Sequence, residues 1–167
     1  MIVAGIDGST NMSGISIMED GELKFYTLID LHKEKDAMKR IRTMLLKICE
    51  ILNQYDIDAV HMEKAFNKSN TDTTMKLANL AGGVMLYCAQ NNITFNHPLP
   101  TEWRKKIGLQ QGKGIKRETL KAEAIAAVKQ EYGIDVNDDV AESILLARSA
   151  FDLPQINMTE DDLWGMM

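Results

Sequence analysis

Two short apolar segments, residues 2–7 and 58–63, flank a long helical pattern, and this arrangement constrains the fold more than any other feature of the chain. Between them, apolar residues recur at helical spacing from Ala37 to Tyr55, over about five turns. A helix that crosses between two strands places them parallel in one sheet. The sequence therefore predicts a parallel pair of buried strands with a helix packed on them, which is typical of an α/β fold.

The remaining segments extend this pair into a larger sheet. Asp20-Gly21 is a strong signal for a two-residue hairpin, so strands over 13–19 and 22–29 are predicted to form a meander with the first strand. The other predicted elements are helices over 71–90, 116–132 and 139–151, a strand over 93–97 and a short helix capped by Thr101. We expect a mixed five-stranded sheet with helices on both faces, in a single domain over 1–153 followed by an acidic tail over 154–167.

Composition excludes several classes of protein. Of the 167 residues, 45% are hydrophobic and 26% are charged, which is typical of a globular domain. No run of about 18 apolar residues is present, so we expect neither a membrane-spanning helix nor a membrane partner. The first ten residues lack a basic region and include Asp7, unlike a secretory signal. Cys49 and Cys88 lie in apolar helical patterns, so we expect reduced thiols in a cytosolic protein.

The charges of the chain are unevenly distributed. The net charge of −5 alone argues mildly against a nucleic-acid partner. However, residues 101–121 contain seven basic and two acidic side chains, and residues 33–47 contain six basic and two acidic ones. Residues 135–167 contain eight acidic side chains and one basic one. This segregation predicts a basic surface beside an acidic pocket or tail, although the 33–47 segment alone is more typical of a solvated helix face.

Four acidic residues form a candidate metal site. Asp7 and Glu63 each end a predicted strand, and the carboxyl ends of parallel neighbours meet where open α/β sheets bind ligands. Asp139 and Glu142 are three residues apart, so they project from one face of the last helix. Oxygen donors of this kind suit one or two Mg²⁺ ions. Two metal ions about 4 Å apart would stabilise the attacking and the leaving oxygen of a phosphodiester.

Each acid also has a structural explanation when it is taken alone. Asp139 and Glu142 have nearly the spacing of a capping box at the start of a helix. Asp7 can belong to a polar turn before Gly8, and Glu63 can pair with Lys64 or Lys68. The order of a first-strand acid, a fourth-strand acid and last-helix acids is much harder to explain by caps and surface pairs together.

Three segments of the chain resemble a known family. They are GIDGSTNMSGISI from Gly5, HMEKAFNKSNTDTTMKLANLAGGVML from His61, and NDDVAESILLARSA from Asn137. Together they resemble the RuvC-type Holliday-junction resolvases of the RNase H-like nuclease superfamily, over about residues 1–151. The strongest part runs from Glu63 to Val84, where the acid, Phe66 and the KLANLAGG helix follow the family order.

The resemblance implies a function and a set of site residues. It implies an RNase H-like fold and a homodimer that uses Mg²⁺, with Mn²⁺ as a substitute, to nick two strands of a four-way DNA junction symmetrically. The implied metal ligands and catalytic residues are Asp7, Glu63, Asp139 and Glu142. The implied DNA-binding residues are Phe66, which matches an aromatic residue placed against bases, and Lys113, Lys116, Arg117 and Lys121 in the basic phosphate-binding region.

The chain departs from the family pattern at two positions. Gly8-Ser9 replaces the usual Pro-Gly after the first aspartate, which we expect to loosen the turn and to bring a hydroxyl near the metals. Glu142 replaces the usual fourth aspartate and is one methylene longer. Asp138 can replace Asp139 as a ligand if the helix begins one residue earlier. The pattern indicates a divergent member, such as a phage or prophage would encode, whose substrates can extend to forks and other branched DNA.

Other functions stay open at this point. An RNase H-like enzyme that processes RNA, or a catalytically weak or inert branched-DNA-binding protein marked by Glu142, would have the same segments. GIDGST also resembles the first phosphate motif of sugar kinases and actin-like ATPases, but those proteins need two lobes and a second phosphate loop, which this chain is too short to hold. We interpret His61 as a packed residue rather than a proton shuttle, and Trp103 as a helix anchor rather than a base-stacking residue.

Overall fold

The computed structural model describes residues 1–64, 70–111 and 114–157, and it arranges five strands in one mixed sheet. The elements, in chain order, are β1 Ile2–Asp7, β2 Met12–Glu19, β3 Glu22–Asp30, α1 Ala37–Leu52, β4 Ala59–Met62, α2 Thr71–Gln90, β5 Thr94–Asn96, α3 Pro100–Ile107, α4 Arg117–Tyr132 and α5 Asp138–Arg148. The strand order is β3-β2-β1-β4-β5. The predicted mixed five-stranded sheet is therefore confirmed.

The central strand β1 has one antiparallel and one parallel neighbour. It pairs antiparallel with β2 and parallel with β4, as the crossing helix between residues 7 and 58 requires. The predicted hairpin joins β2 to β3, and its central residues Asp20 and Gly21 have φ angles of 49° and 87°. Two successive positive φ angles are typical of the type I′ turn, whose twist matches that of the strands.

Helices cover both faces of the sheet, as predicted. On one face, α3, α4 and α5 form a core with Val3 and Met18, and Trp103 and Ile107 are among its buried residues. On the other face, α1 and α2 pack on the alternate residues of the same strands, with Ala4, Ile6 and Val60 among the buried side chains. No helix in the described part of the chain is long and apolar enough to cross a membrane.

Glycines in β1 and β2 let α5 lie directly on the sheet. A Cβ atom added at Gly5 would lie 2.0 Å from the backbone oxygen of Ser143, and one added at Gly14 would lie 1.9 Å from the backbone oxygen of Asp139. Both distances are shorter than any van der Waals contact, so no other residue fits at either position without a shift of α5. Ser16 adds a buried hydrogen bond of 2.9 Å from its hydroxyl to the Ser143 oxygen.

Several predicted boundaries differ from the observed ones. The prediction that Thr101 caps a helix is wrong, because α3 begins at Pro100 and Leu99 occupies the N-cap position. Pro100 suits the first helical position because the missing N–H needs no partner there. The Glu102 carboxylate accepts the Leu99 N–H at 2.7 Å. Helix α1 ends at Leu52 and α5 at Arg148, both earlier than predicted. Residues 158–167 of the predicted acidic tail lie outside the described residues.

Candidate active site

Asp7 and Glu63 lie at the carboxyl ends of the two parallel strands, as predicted. Asp7 is the last residue of β1, and Glu63 follows β4 directly. The Glu63 N–H donates to the Ile6 oxygen at 3.2 Å, which continues the pairing of the strands by one step. The Glu63 carboxylate is one cause of the raised pKa of Asp7.

Helix α5 brings two more acids to the same edge of the sheet. It begins at Asp138, and the Asn137 side chain caps it by accepting the Val140 N–H at 3.1 Å. Asp139 and Glu142 are therefore inside the helix, and the alternative that they form a capping box is wrong. With the cap supplied by Asn137, both carboxylates are available to the cleft beside Asp7.

The four predicted acids line one cleft of about 800 Å³. Its walls come from the turn after β1, the end of β4 and the first turns of α4 and α5, with contributions from α1, α2 and α3. The acids that line it are Asp7, Glu63, Asp138, Asp139 and Glu142. A concentration of buried negative charge of this kind costs folding free energy, and it is typical of a functional site.

The electrostatics of the cleft favour an added positive charge. Burial, followed by the nearby Glu142 and Glu63 carboxylates, raises the pKa of Asp7 well above its usual value. Burial and Glu63 raise the pKa of Glu142 to about 7. Burial also raises the pKa values of Glu63 and of Asp139, the latter with a further contribution from Asp138. Each shift disfavours the ionised carboxylate, and a bound cation would reverse that effect.

Trp103 holds the Glu63 carboxylate. Its indole Nε1–H donates to Glu63 Oε2 at 2.7 Å, and the residue is 2% exposed. This hydrogen bond opposes part of the burial effect on the pKa of Glu63. The predicted role of Trp103 as a helix anchor agrees with its burial, whereas its contact with a candidate ligand was not predicted. Among the described residues, Glu63 forms no ion pair with Lys64.

Arg104 binds both Glu142 in the cleft and the buried Glu123. Its Nη1 donates to Glu142 Oε1 at 3.2 Å, and its Nη2 donates to Glu123 Oε2 at 2.8 Å. Nε and Nη2 also donate to the backbone oxygens of Gln110 and Leu120, each at 2.9 Å. Arg104 and Glu123 are both 2% exposed. They therefore form a buried ion pair in which both side chains are hydrogen-bonded.

The sequence itself contains a signal for this buried pair. Arg104 lies on the same helical face as Trp103 and Ile107, where an apolar residue is expected. Glu123 likewise interrupts the apolar face that Ala124 and Ala127 mark on α4. Opposite charges at two core positions of neighbouring helices predict a partner for each other, because neither charge is stable when buried alone.

Asp138 is engaged by a predicted DNA-binding residue. The Lys121 Nζ donates to Asp138 Oδ2, and both residues line the cleft. This ion pair raises the pKa of Lys121. Asp139 contributes more than Asp138 to the raised pKa of Asp7. Helix α5 does begin at Asp138, and both Asp138 and Asp139 line the cleft.

The predicted basic residues are only partly in the cleft. Arg117 and Lys121 line it, whereas Lys116 precedes α4 at its N-cap position, is exposed and is not in the lining. Lys113 and Phe66 lie outside the described residues. The lining also contains basic residues that were not predicted to bind DNA, namely Arg40, Lys64, Lys76 and Arg104. Arg40 belongs to the basic 33–47 segment, which therefore contributes to the cleft.

The turn after Asp7 is closed by hydrogen bonds of the Ser9 and Ser13 side chains. The Ser9 hydroxyl accepts the N–H groups of Asn11 and Met12 at 3.1 and 3.4 Å. The Ser9 N–H donates to the Ser13 hydroxyl oxygen at 2.9 Å. Ser9 does line the cleft, as expected from the Gly8-Ser9 departure. Serine hydroxyls of this kind stabilise turns by hydrogen bonding to nearby backbone groups.

The donor set of the cleft fits a divalent cation. Carboxylate oxygens are the ligands that Mg²⁺ prefers, and four candidate carboxylates come from three elements. In the described ranges, no group of three or more His, Cys, Asp or Glu side chains has the spacing of a preassembled metal site. Glu63 and Glu142 are instead held by donors on α3, which partly compensates their mutual repulsion.

Comparison with known proteins gives relatives of one family. A crossover junction endodeoxyribonuclease RuvC from Bifidobacterium longum (strain DJO10A) is 29% identical over 150 residues, which cover 86% of this chain and 77% of that protein. A protein of the same name from Caldicellulosiruptor saccharolyticus is 25% identical over 152 residues, which cover 88% of this chain and 90% of the relative.

Solved structures share the fold. The RuvC of T. thermophilus in complex with Holliday junction substrate superposes with a TM-score of 0.72 at 16% identity, covering 89% of this chain and 91% of that one. The Fowlpox virus resolvase, solved with Holliday junction DNA, gives a TM-score of 0.62 at 17% identity, covering 90% and 96%. These likenesses confirm the RNase H-like fold class. The family model described as crossover junction endodeoxyribonuclease RuvC matches residues 3–145, and this chain belongs to that family.

Proposed function

We propose that this protein is a divalent-metal-dependent endonuclease that cuts branched DNA, with the four-way junction as its main substrate. The observation that carries the proposal is the single cleft lined by Asp7, Glu63, Asp139 and Glu142. Membership of the RuvC family and the names of the relatives support the same reaction class. Two structures of the same fold were solved with Holliday junction DNA, which supports the same class of substrate.

We assign the four acids as ligands of Mg²⁺, with Mn²⁺ as a substitute. A bound divalent cation would stabilise charge on the phosphate and lower the pKa of a coordinated water. The chain itself contributes the orientation of the carboxylates. Asp7 is fixed by β1, and Asp139 and Glu142 are fixed by a helix that packs directly on the sheet. Glu63 accepts a hydrogen bond from the indole of Trp103.

Two walls of the cleft carry basic residues for DNA phosphates. Arg117 and Lys121 lie on α4, and Arg40 and Lys76 lie on α1 and α2. The Nε of Arg40 is buried without a hydrogen-bond partner in the described part of the chain, while its Nη1 donates to the Glu34 oxygen at 2.8 Å. Because cations on both walls flank the acids, a DNA strand can be held on each side of the bond that is cut.

Three further residues keep the roles that the resemblance implies. Phe66 would stack on an unpaired base near the junction centre, which is worth about 1–3 kcal/mol per base. Lys113 and Lys116 would contact phosphates at the edge of the same surface, before the first turn of α4. Of these three residues, only Lys116 lies within the described part of the chain, at the N-cap position of α4.

The functional unit is a homodimer with two-fold symmetry. A four-way junction offers two equivalent strands, and a symmetric dimer presents two equivalent clefts. Helix α2 provides an apolar exposed face for the contact, since Met75, Met85 and Leu86 are 62%, 53% and 58% exposed. A Cβ atom at Gly82, on the same face, would meet nothing within 4 Å. The resolution of a junction then consists of paired symmetric nicks.

The dimer is tested by placing a charge on this face. We expect Met85→Glu to yield a species of 18.8 kDa by light scattering, and a junction product with single nicks instead of paired ones. Tyr26→Glu is the control, because Tyr26 is 41% exposed on β3 and lies away from α2. A Met85→Glu protein of twice the monomer mass would move the interface to another surface.

A panel of labelled nucleic acids tests the proposed reaction and its competitors. The pure protein is incubated with a four-way junction, a fork, a plain duplex and an RNA–DNA hybrid, in Mg²⁺ and in a chelator. We expect cleavage of the junction in Mg²⁺ only, weaker cleavage of the fork and none of the duplex. Cleavage restricted to the RNA strand would identify an RNA-processing enzyme. Tight junction binding without cleavage in either Mg²⁺ or Mn²⁺ would identify an inert DNA-binding protein.

A further inference from the structure

Consecutive residues of α3 hold the two glutamates of the cleft. Trp103 donates to Glu63 Oε2 at 2.7 Å, and Arg104 donates to Glu142 Oε1 at 3.2 Å. Asp7 and Asp139 are attached to β1 and α5 by a single side-chain carbon, so the elements themselves orient them. Glutamate has one more rotatable bond than aspartate, and its carboxylate needs a partner to stay in one orientation. Helix α3 supplies that partner for both.

The Trp103 ring is held in place by its surroundings. Its ring is buried in the core that α3, α4 and α5 form on one face of the sheet. The guanidinium of Arg104 lies 5.2 Å from the centre of the ring, and four hydrogen bonds hold that guanidinium in place. The indole N–H can therefore fix the orientation of the carboxylate that it binds, because the ring is closely packed and cannot move with the carboxylate.

We propose that Trp103 is a positioning residue that holds Glu63 in the orientation required for a divalent cation. The inference rests on the proposed function, since it assigns Glu63 as a ligand. The indole N–H occupies one acceptor site of Oε2, and a carboxylate has about four such sites, so Glu63 keeps the capacity to bind a cation. Hydrogen bonds to ligating carboxylates raise metal affinity in this way, and their loss typically costs about 10–100-fold.

The test removes the indole N–H and keeps an aromatic ring in the core. We expect Trp103→Phe to bind Mn²⁺, measured by calorimetry without DNA, about 10–100-fold more weakly than the wild type. Ile107→Ala is the matched control, because Ile107 is 2% exposed in the same helix and core but touches none of the acids through a polar atom. We expect this control to melt at a lower temperature and to bind Mn²⁺ as the wild type does.

A spectroscopic measurement separates positioning from packing. The chain has two tryptophans, so the indole N–H resonance of Trp103 in a ¹⁵N–¹H spectrum is the one that Trp103→Phe removes. We expect Mg²⁺ to shift this resonance in a saturable way, and we expect the shift to disappear in Glu63→Gln. A role limited to packing would leave the resonance unmoved by Mg²⁺.

The outcomes distinguish the inference from the function on which it rests. Weaker Mn²⁺ binding by Trp103→Phe together with a metal-dependent indole shift supports the inference. Equal Mn²⁺ affinities of Trp103→Phe and wild type, or an unmoved resonance while metal binds, overturn the inference and leave the proposed function standing. A wild type that binds no divalent cation at all, with or without a junction, overturns both.

Discussion

Gly14 lies against the backbone of Asp139 so closely that an added Cβ atom would be 1.9 Å from the Asp139 oxygen. Gly14 is also the register partner of Asp7 in the β1–β2 pair. Gly14 therefore contacts both the strand that carries Asp7 and the helix that carries Asp139 and Glu142. The position of α5 relative to β1, and with it the shape of the acidic cleft, depends on the absence of a side chain at this position.

We expect Gly14→Ala to lower both stability and activity. The new methyl group must push the first turn of α5 away from the sheet, and overpacking of this kind typically costs about 1–3 kcal/mol. The displaced turn carries Asp139, so junction cleavage falls further than the loss of folded protein explains. Urea unfolding and cleavage rates at a temperature where the variant is fully folded measure the two effects.

Ile15→Val is the matched control for this variant. Ile15 is buried in the core on the opposite face of the same strand, and the loss of one methyl group there typically costs about 0.5–1.5 kcal/mol. We expect it to be destabilised but to cleave normally when folded. Normal cleavage by folded Gly14→Ala would show that the contact between Gly14 and Asp139 does not shape the site.

Neighbouring aspartates at the start of α5 are expected to differ in their effects. Asp138 is bound to Lys121, whereas Asp139 contributes more strongly to the raised pKa of Asp7. We therefore expect Asp139→Asn to abolish junction cleavage and Asp138→Asn to keep most of it. Single-turnover cleavage of the two variants under identical conditions checks the assignment. The reverse ranking would make Asp138 the ligand and Asp139 a residue that merely lies beside it.

The stability of the metal-free protein should depend on the ionisation of Glu142. Burial and Glu63 raise the pKa of Glu142 from its ordinary 4.5 to about 7, so the folded state binds more protons than the unfolded chain in this pH range. The free energy of unfolding therefore falls as the pH rises from about 4.5 to about 7, by at most about 3 kcal/mol from this group. Asp7 and Glu63, whose pKa values are also raised, act in the same direction.

Urea titrations in a chelator at several pH values measure this dependence. We expect the stability of Glu142→Gln to fall less steeply with pH than that of the wild type, because the glutamine does not titrate. If the free energies of unfolding of the two proteins changed with pH in parallel, ionisation of Glu142 would not destabilise the folded state. Added Mg²⁺ should stabilise the wild type more at pH 8 than at pH 6, since protons compete with the cation for the same carboxylates.

Much of the site could be predicted because local patterns determine it. Strand-ending acids at Asp7 and Glu63 follow from apolar runs that stop at a charge, and a helix crossing makes their strands parallel. The spacing of Asp139 and Glu142 places them on one helical face whatever the exact start of α5. These features need only the periods of strands and helices, which a single sequence contains.

The contacts of α3 could not be predicted in the same way. The hydrogen bond from Trp103 to Glu63 joins residues 40 positions apart, and the one from Arg104 to Glu142 joins residues 38 apart. The first depends on how α3 lies against the end of β4, and the second on how α3 lies against α5. Both arrangements are set by core packing rather than by any local pattern. Similarly, only the packing of α5 on β2 explains why residue 14 is a glycine.

The salt dependence of DNA binding should identify the residues of the cleft that contact phosphates. Each lost phosphate contact lowers the slope of log affinity against log salt concentration by about 0.9. We expect this reduction for Arg117→Ala and for Arg40→Ala, because both residues line the cleft. Lys47→Ala is the control on α1, since Lys47 is exposed and absent from the lining. An unchanged slope for Arg40→Ala would show that Arg40 on α1 does not contact DNA phosphates.

Asp7→Asn tests the central claim, that the acids of this cleft hold the metal on which cleavage depends while basic residues bind the DNA. Two quantities are measured on one labelled four-way junction, the cleavage rate in Mg²⁺ and the affinity in a chelator. We expect Asp7→Asn to lose cleavage and to bind the junction as tightly as the wild type or more tightly, since a negative charge beside the phosphates is removed. Equal cleavage rates for Asp7→Asn and wild type would contradict the account.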